Sequence, residues 1–173
     1  MLIHILYRHA EQNVDHIEST SENWHIIKEY HFYISEDRTH DTYFVQHCFG
    51  KIYDSLKNRG IKFNEHWIWS NRCAGQFKSA WSFFWLCCLH MKTCIKHCWN
   101  LFETGHGKGE HDSAGACIKW ALWRYQMNPS ASQLVDAKEF VQWCITTLSH
   151  ETNRSREVQR YIHFNFYWIS NFK

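Results

Sequence analysis

The feature that most restricts this fold is the glycine-rich run at residues 105–109, GHGKG, because no regular element crosses it. Upstream, Cys98, Trp99, Leu101 and Phe102 are bulky and apolar enough for a buried strand. Downstream, Ala114, Cys117, Ile118, Ala121, Leu122 and Tyr125 recur at helical spacing. Residues 97–117 therefore read as strand, loop and helix, with Asp112 in the first helical turn. A carboxylate there, beside His106 and Lys108, is placed to hold a divalent metal while loop N–H groups and the lysine meet a phosphate. A plainer reading uses the same residues. The helix dipole favours Asp and Glu in any first turn, and HGKG alone carries little specificity.

Around this junction the chain alternates strands and helices. Residues 2–7 and 26–35 are rich in Ile, Tyr and Phe and read as strands joined by a polar stretch. Residues 36–41 form a charged turn. Asp41 is placed to cap a helix through Asn58, which carries Phe44, Val45, Cys48, Phe49, Ile52 and Leu56 on one face and ends before Gly60. A strand at 61–70, the loop NRCAGQFK and a helix from Ser79 to about Met91 follow. That helix is apolar almost all round and is expected to be buried. After Asn128 and Pro129, the spacing of Ser130 and Gln133 predicts a capping box opening a last helix to about His150. The tail, YIHFNFYWISNFK, is aromatic and strand-like. This order predicts an α/β fold with a mixed central sheet and helices on both faces, strands near 2–7, 27–35, 61–70 and 96–103 sharing that sheet. Residues 1–150 would form the core and 151–173 an aromatic tail. In such sheets sites form beyond strand ends, so the loops at 71–78 and 104–109 should converge, bringing Asn71 near Asp112.

Composition narrows the classes. With 173 residues, 45% hydrophobic, 17% aromatic and one proline, the chain has the means for one packed domain and is not a disordered linker. A net charge of +2 with 14 His neither requires nor excludes nucleic acid. The longest apolar run, SFFWLCCL, is too short to span a membrane, and the N-terminus lacks a signal-peptide pattern. The expected location is intracellular, nuclear or cytoplasmic. Eight cysteines without framework spacing are expected to be reduced and mostly in the core. His90, Cys94, His97 and Cys98 offer zinc-ligand types, but the second spaced pair is missing and the segment reads as a helix end running into a strand.

Three segments, HFYISEDRTHDTYFVQHCF, WIWSNRCAGQFKS and WNLFETGHGKGEHDSAGA, resemble in order and spacing a plant-type family of eukaryotic transposase-like proteins with a ribonuclease-H-like, acidic-triad core. The resemblance covers roughly residues 1–150. It implies an incomplete ribonuclease-H-like fold and, ancestrally, Mg²⁺-dependent DNA cleavage and strand transfer, with carboxylates holding two ions around a phosphodiester. This chain departs from the pattern. Asn71 and Arg72 stand where the family has Asp and Gly, Ser113 stands where Gly usually follows Asp112, and the strand bearing the first acid lies before residue 1. Trp81, Cys88, Trp120 and Trp123 stand where the pattern tends to carry Arg. The changes Arg to Trp, Arg to Cys, Asp to Asn and Gly to Ser can each arise from a cytosine-to-thymine transition on one or other DNA strand, which points to decay of a silenced element.

The resemblance therefore implies a degenerate, catalytically inactive copy with Asp112 as its residual weak metal position and Asn71 marking the lost Asp. Glu103, Asp37 and Asp41 lie near the loops, the last two with turn and capping roles of their own. A second class is a nucleic-acid-binding module using Lys78, His106, Lys108, Lys119 and Arg124 on phosphates. A third is an interaction remnant with an exposed aromatic patch. An unpaired sheet edge would favour self-association.

Overall fold

In the computed structural model, residues 1–36, 41–103, 109–148 and 158–166 are described, with only the backbone for 158–161. In chain order the elements are β1 (Leu2–His9), α1 (Gln12–Asp15), β2 (Ile26–Ile34), α2 (Thr42–Asn58), β3 (Glu65–Ser70), α3 (Ala80–Thr93), β4 (Lys96–Leu101), α4 (Glu110–Gln126), α5 (Ala137–Leu148) and β5 (Val158–Phe166). The class is mixed α/β. The chain forms two compact units, Met1–Asp37 with Gly109–Lys173, and Arg38–Lys108.

The first unit is built on β2, whose Ile, Tyr and Phe side chains are buried on both faces. β1 pairs with it antiparallel and β5 parallel, giving the order β1-β2-β5. Pleating sends Phe32, Ile3, Ile162 and Phe164 to one face, where Ile118 of α4 and Cys144 of α5 complete an apolar core. α4 sits close to β1 because Gly115 has no side chain: a Cβ there would meet Ile3 Cδ1 at 3.1 Å. Full burial of a residue such as Ile118 contributes about 1.5–3 kcal/mol.

In the second unit β3 and β4 pair in parallel, joined through α3. α2 buries the face read from its periodicity: Phe44, Val45, Cys48, Phe49, Ile52 and Leu56. Asp41 caps it, its Oδ1 accepting the Phe44 N–H at 2.9 Å. At the other end Gly60 takes φ +78°, and the bonds Gly60 N–H to Lys57 O and Ile61 N–H to Leu56 O close a Schellman turn.

Several expectations change. The strands expected to share one sheet lie in two, β1-β2-β5 and β3-β4, because among the described residues no strand hydrogen-bonds the two groups together. Two units replace the single core. β5, within the aromatic tail, is the third strand of the first sheet. α3 is not buried: Trp81, Phe83, Phe84 and Met91 are exposed, since the helix meets α2 and β4 along one stripe and a two-stranded sheet is too narrow to cover more. The last helix is not capped by Ser130. Asp136 Oδ1 accepts the Glu139 N–H at 2.7 Å, and Glu139 Oε2 accepts the Val135 N–H at 2.8 Å. That arrangement places the acceptor next to the helix, whereas Ser130 lies a turn too early. Of the eight cysteines only Cys48 and Cys144 are buried, while Cys73, Cys87, Cys94 and Cys117 are exposed. Burial pushes the Cys144 thiol up to about 12, which keeps it protonated.

Candidate functional site

The loop after β3 is a tight turn held by its own backbone. Asn71 Oδ1 accepts the Cys73 N–H at 3.0 Å, and the Cys73 carbonyl accepts the N–H groups of Gln76, Phe77 and Lys78. Phe77 is buried, and the Thr42 hydroxyl at the start of α2 donates to the Gly75 carbonyl at 3.3 Å. Asn71 is exposed, and so is Arg72 beside it. The amide oxygen at position 71 thus closes a turn of the kind Asn favours.

Asp112 belongs to the other unit. It lies in the first turn of α4, exposed, with Oδ2 accepting the Gly109 N–H at 3.2 Å and standing 3.6 Å from His111 Nε2. The neighbouring Glu110 is tied to the sheet: its carboxylate accepts from Lys28 Nζ at 2.7 and 2.8 Å and from the Tyr7 hydroxyl. These bonds fix the entry of α4 onto β1 and β2, and Lys28 lies 5.0 Å from the centre of the Tyr7 ring. Asp112 serves the helix start, as the dipole and the free N–H groups there favour.

Of the basic residues expected to meet phosphate, Lys78 is exposed after the 71–78 loop, and Lys119 and Arg124 are exposed on α4. Arg124 stacks over Trp120 at 4.6 Å. His106 and Lys108, with most of the loop at 104–109, lie outside the described residues, as does Asp37. Glu103 is exposed just after β4.

The residues of zinc-ligand type at 90–98 have the structural roles expected of a helix end running into a strand. The His90 ring bonds the Ile95 carbonyl through Nδ1 at 2.6 Å, and Cys94 ends α3 with φ 57°. His97 lies across the parallel pair from His66. The Tyr53 hydroxyl reaches His66 Nδ1 at 2.6 Å and His97 Nδ1 at 3.5 Å. Burial, then the neighbouring His97, pushes the His66 pKa down to about 4; burial and then His90 lower that of His97. Both rings are thereby held neutral at neutral pH.

A second polar cluster, on the sheet of the first unit, was not visible in the sequence. Glu29 and His31 are two residues apart on β2 and so share a face, and His163 is the β5 partner of His31. Glu29 Oε2 stands 3.3 Å from His31 Nε2 and 3.3 Å from His163 Nε2, and the two rings stack at 4.5 Å. Arg8 Nε donates to the other oxygen, Oε1, at 2.7 Å. The same guanidinium grips both oxygens of Asp15 at 2.7 and 2.8 Å. Burial opposes charge on both partners, but their mutual hydrogen bonds outweigh it, raising the Arg8 pKa and lowering that of Asp15. The only signal in the sequence is the pair Glu29 and His31; His163 is 132 residues further on (163 − 31), beyond any local pattern.

The family model of a domain of unknown function, DUF8701, matches residues 14–164, and the chain belongs to that family. No curated protein and no solved structure matches it. Among the described residues no helix is long and apolar enough to cross a membrane.

Proposed function

We propose that this member of the DUF8701 family is a transposase-derived domain, an incomplete ribonuclease-H-like core that no longer cleaves DNA. The observation that carries the reading is the exposure of Trp81, Trp120 and Trp123, at 62%, 58% and 57%. Each stands where the resemblance expects arginine. Beyond surface contacts of Trp81 with Phe84 and of Trp120 with Arg124, more than half of each side chain faces solvent, where arginine belongs. Substitution drift from arginine accounts for all three. Cys88, the fourth position, is half-buried and neutral on this point.

The acids support the same reading. A two-magnesium site needs several carboxylates around hard cations. Asn71 offers a neutral oxygen already accepting the Cys73 N–H, Arg72 adds a positive charge beside it, and Asp112 is engaged by the start of α4. One carboxylate and one amide supply less charge than two hard cations need. Among the described residues the outer strands of both sheets pair on one side, and such edges offer a route to self-association, read by sedimentation.

The test is a plasmid-nicking assay with Mg²⁺ alongside calorimetry. The unmodified chain gives no nicking, and Asn71→Asp with Arg72→Gly raises Mg²⁺ affinity without restoring cleavage. Mg²⁺-dependent nicking abolished by Asp112→Ala overturns the reading. In parallel, the triple variant Trp81→Arg, Trp120→Arg and Trp123→Arg keeps its cooperative unfolding and gains soluble yield; loss of folding would show that the tryptophans are structural.

A second reading rests on α4, where Lys119, Trp120, Trp123 and Arg124 are all exposed. Cations beside aromatic rings suit a nucleic-acid strand, the rings stacking bases and the cations meeting phosphates. Binding of single-stranded DNA that weakens steeply with salt and is lost in Lys119→Ala with Arg124→Ala supports it; binding unaffected by salt or by both changes excludes it.

A further inference from the structure

The geometry points to a binding site for one divalent transition-metal ion of the zinc type, formed by Glu29, His31 and His163 and joining β5 to β2. Among the described residues this is the group of histidine, cysteine and carboxylate donors that converges most closely, with its three ligand atoms within 4.8 Å of one another. Two ligands of a tetrahedral zinc ion, each bound at about 2.0–2.1 Å, stand about 3.3 Å apart. That is the separation from Glu29 Oε2 to His31 Nε2 and from Glu29 Oε2 to His163 Nε2. The His31 and His163 rings, stacked at 4.5 Å, have to turn from that stack for both Nε2 lone pairs to meet one ion.

The surroundings suit a metal in three ways. The backbone holds the donors: Glu29 and His31 lie on the central strand, and the β2–β5 register sets His163 opposite His31. Arg8 takes Oε1 of Glu29 and turns Oε2 toward both imidazoles, the orienting role that outer partners play around metal ligands. Charge is also partly offset. Arg8 carries one positive charge against the carboxylates of Glu29 and Asp15, leaving one negative charge to offset half that of a dication. Two imidazoles and one carboxylate favour a borderline ion over magnesium, which prefers oxygen throughout. Three protein ligands leave a position for water or an exogenous ligand.

The metal would also act on the fold. Binding to the native arrangement and not to the unfolded chain stabilises the native state, so the ion would staple β5 to the sheet.

The test uses the full chain, reduced and freed of metal with a chelator. Cobalt(II) titration gives one saturable equivalent whose spectrum lacks the thiolate charge-transfer band expected of a cysteine-bound ion. Zinc displaces the cobalt, and magnesium in large excess does not. His163→Gln, on the edge strand, weakens cobalt binding at least tenfold. If that variant fails to fold, hydrogen exchange on the unmodified chain decides: zinc slows exchange across residues 158–166. No saturable binding, a thiolate band, an affinity unchanged by His163→Gln in a folded variant, or exchange in β5 unaffected by zinc would each overturn the site. Nicking and Mg²⁺ measurements do not enter this result, so the proposal stands or falls apart from the transposase reading.

Discussion

The two units bury polar groups in opposite ways. On the sheet of the first, charge is buried with its partners: Arg8 lies between Glu29 and Asp15, all three almost fully enclosed. In the second, polarity is half-buried and neutral, as His66 and His97 around the Tyr53 hydroxyl, with Phe49 and Phe63 against the His66 ring. The difference teaches that both solutions avoid an unpaired internal charge, but they fail under different insults. An ion-paired cluster is broken by removing one partner; a neutral histidine cluster is broken by adding a proton.

The largest effect should come from Arg8→Met. It removes the one cation shared by two buried carboxylates, and breaking a buried pair in this way costs about 3–5 kcal/mol. Urea unfolding of the variant reads the loss. A cost under about 1 kcal/mol would mean that the cluster is effectively solvated and the comparison fails on the side of the first unit.

Acid should come next, and in the second unit. The unfolded chain takes up a proton on His66 near the ordinary value of 6.5, whereas the folded chain does so only near 4. The folded pKa is depressed, so the unfolded state binds more protons between those values and stability falls as pH drops through them. The loss is on the order of 3 kcal/mol by pH 4, and the lowered pKa values of His97 and His47 push the same way. Asp15 behaves differently. Its lowered pKa contributes stability present above the ordinary carboxylate range, lost only as pH falls below it. Hydrogen exchange at pH 7 and pH 5 should therefore show the amides of β3 and β4 loosening, and His66→Gln should flatten that response. An unchanged pH dependence in His66→Gln would assign the effect elsewhere.

The smallest effect concerns the helix caps, one in each unit. Asp41→Ala and Asp136→Ala should each cost about 1 kcal/mol, and Ser130→Ala close to nothing. Equal costs at Ser130 and Asp136 would restore the sequence-based boundary of α5.

What was legible in the sequence was local. Residues that satisfy their own neighbourhood announced themselves: Asp41 before the stripe of α2, Gly60 after it, Ser79 accepting the Ser82 N–H at 3.1 Å, and the apolar repeat of α4. Asn71 and Asp112 were found at loop and helix start, and each is placed by a bond within two or three residues of itself. The misreadings lie where a local pattern competes with a packing decision. Ser130 and Gln133 have the spacing of a capping box, but Asp136 and Glu139 have it too, and only the position of Phe140 and Trp143 against the sheet core selects the second. α3 reads as buried because its composition is apolar, yet burial requires a covering surface, and α2 and β4 supply one stripe.

The sequence by itself determined the class of every element but the short α1, and the mixed α/β order, since these depend on side chains interacting with their own backbone. Tertiary structure alone decided that the strands divide into two sheets, that β5 joins β2, and that Glu29, His31 and His163 converge. Strand pairing is a choice among distant partners. Its outcome depends on which edges meet and which faces are buried, and no window of sequence contains both members of a pair separated by more than 100 residues.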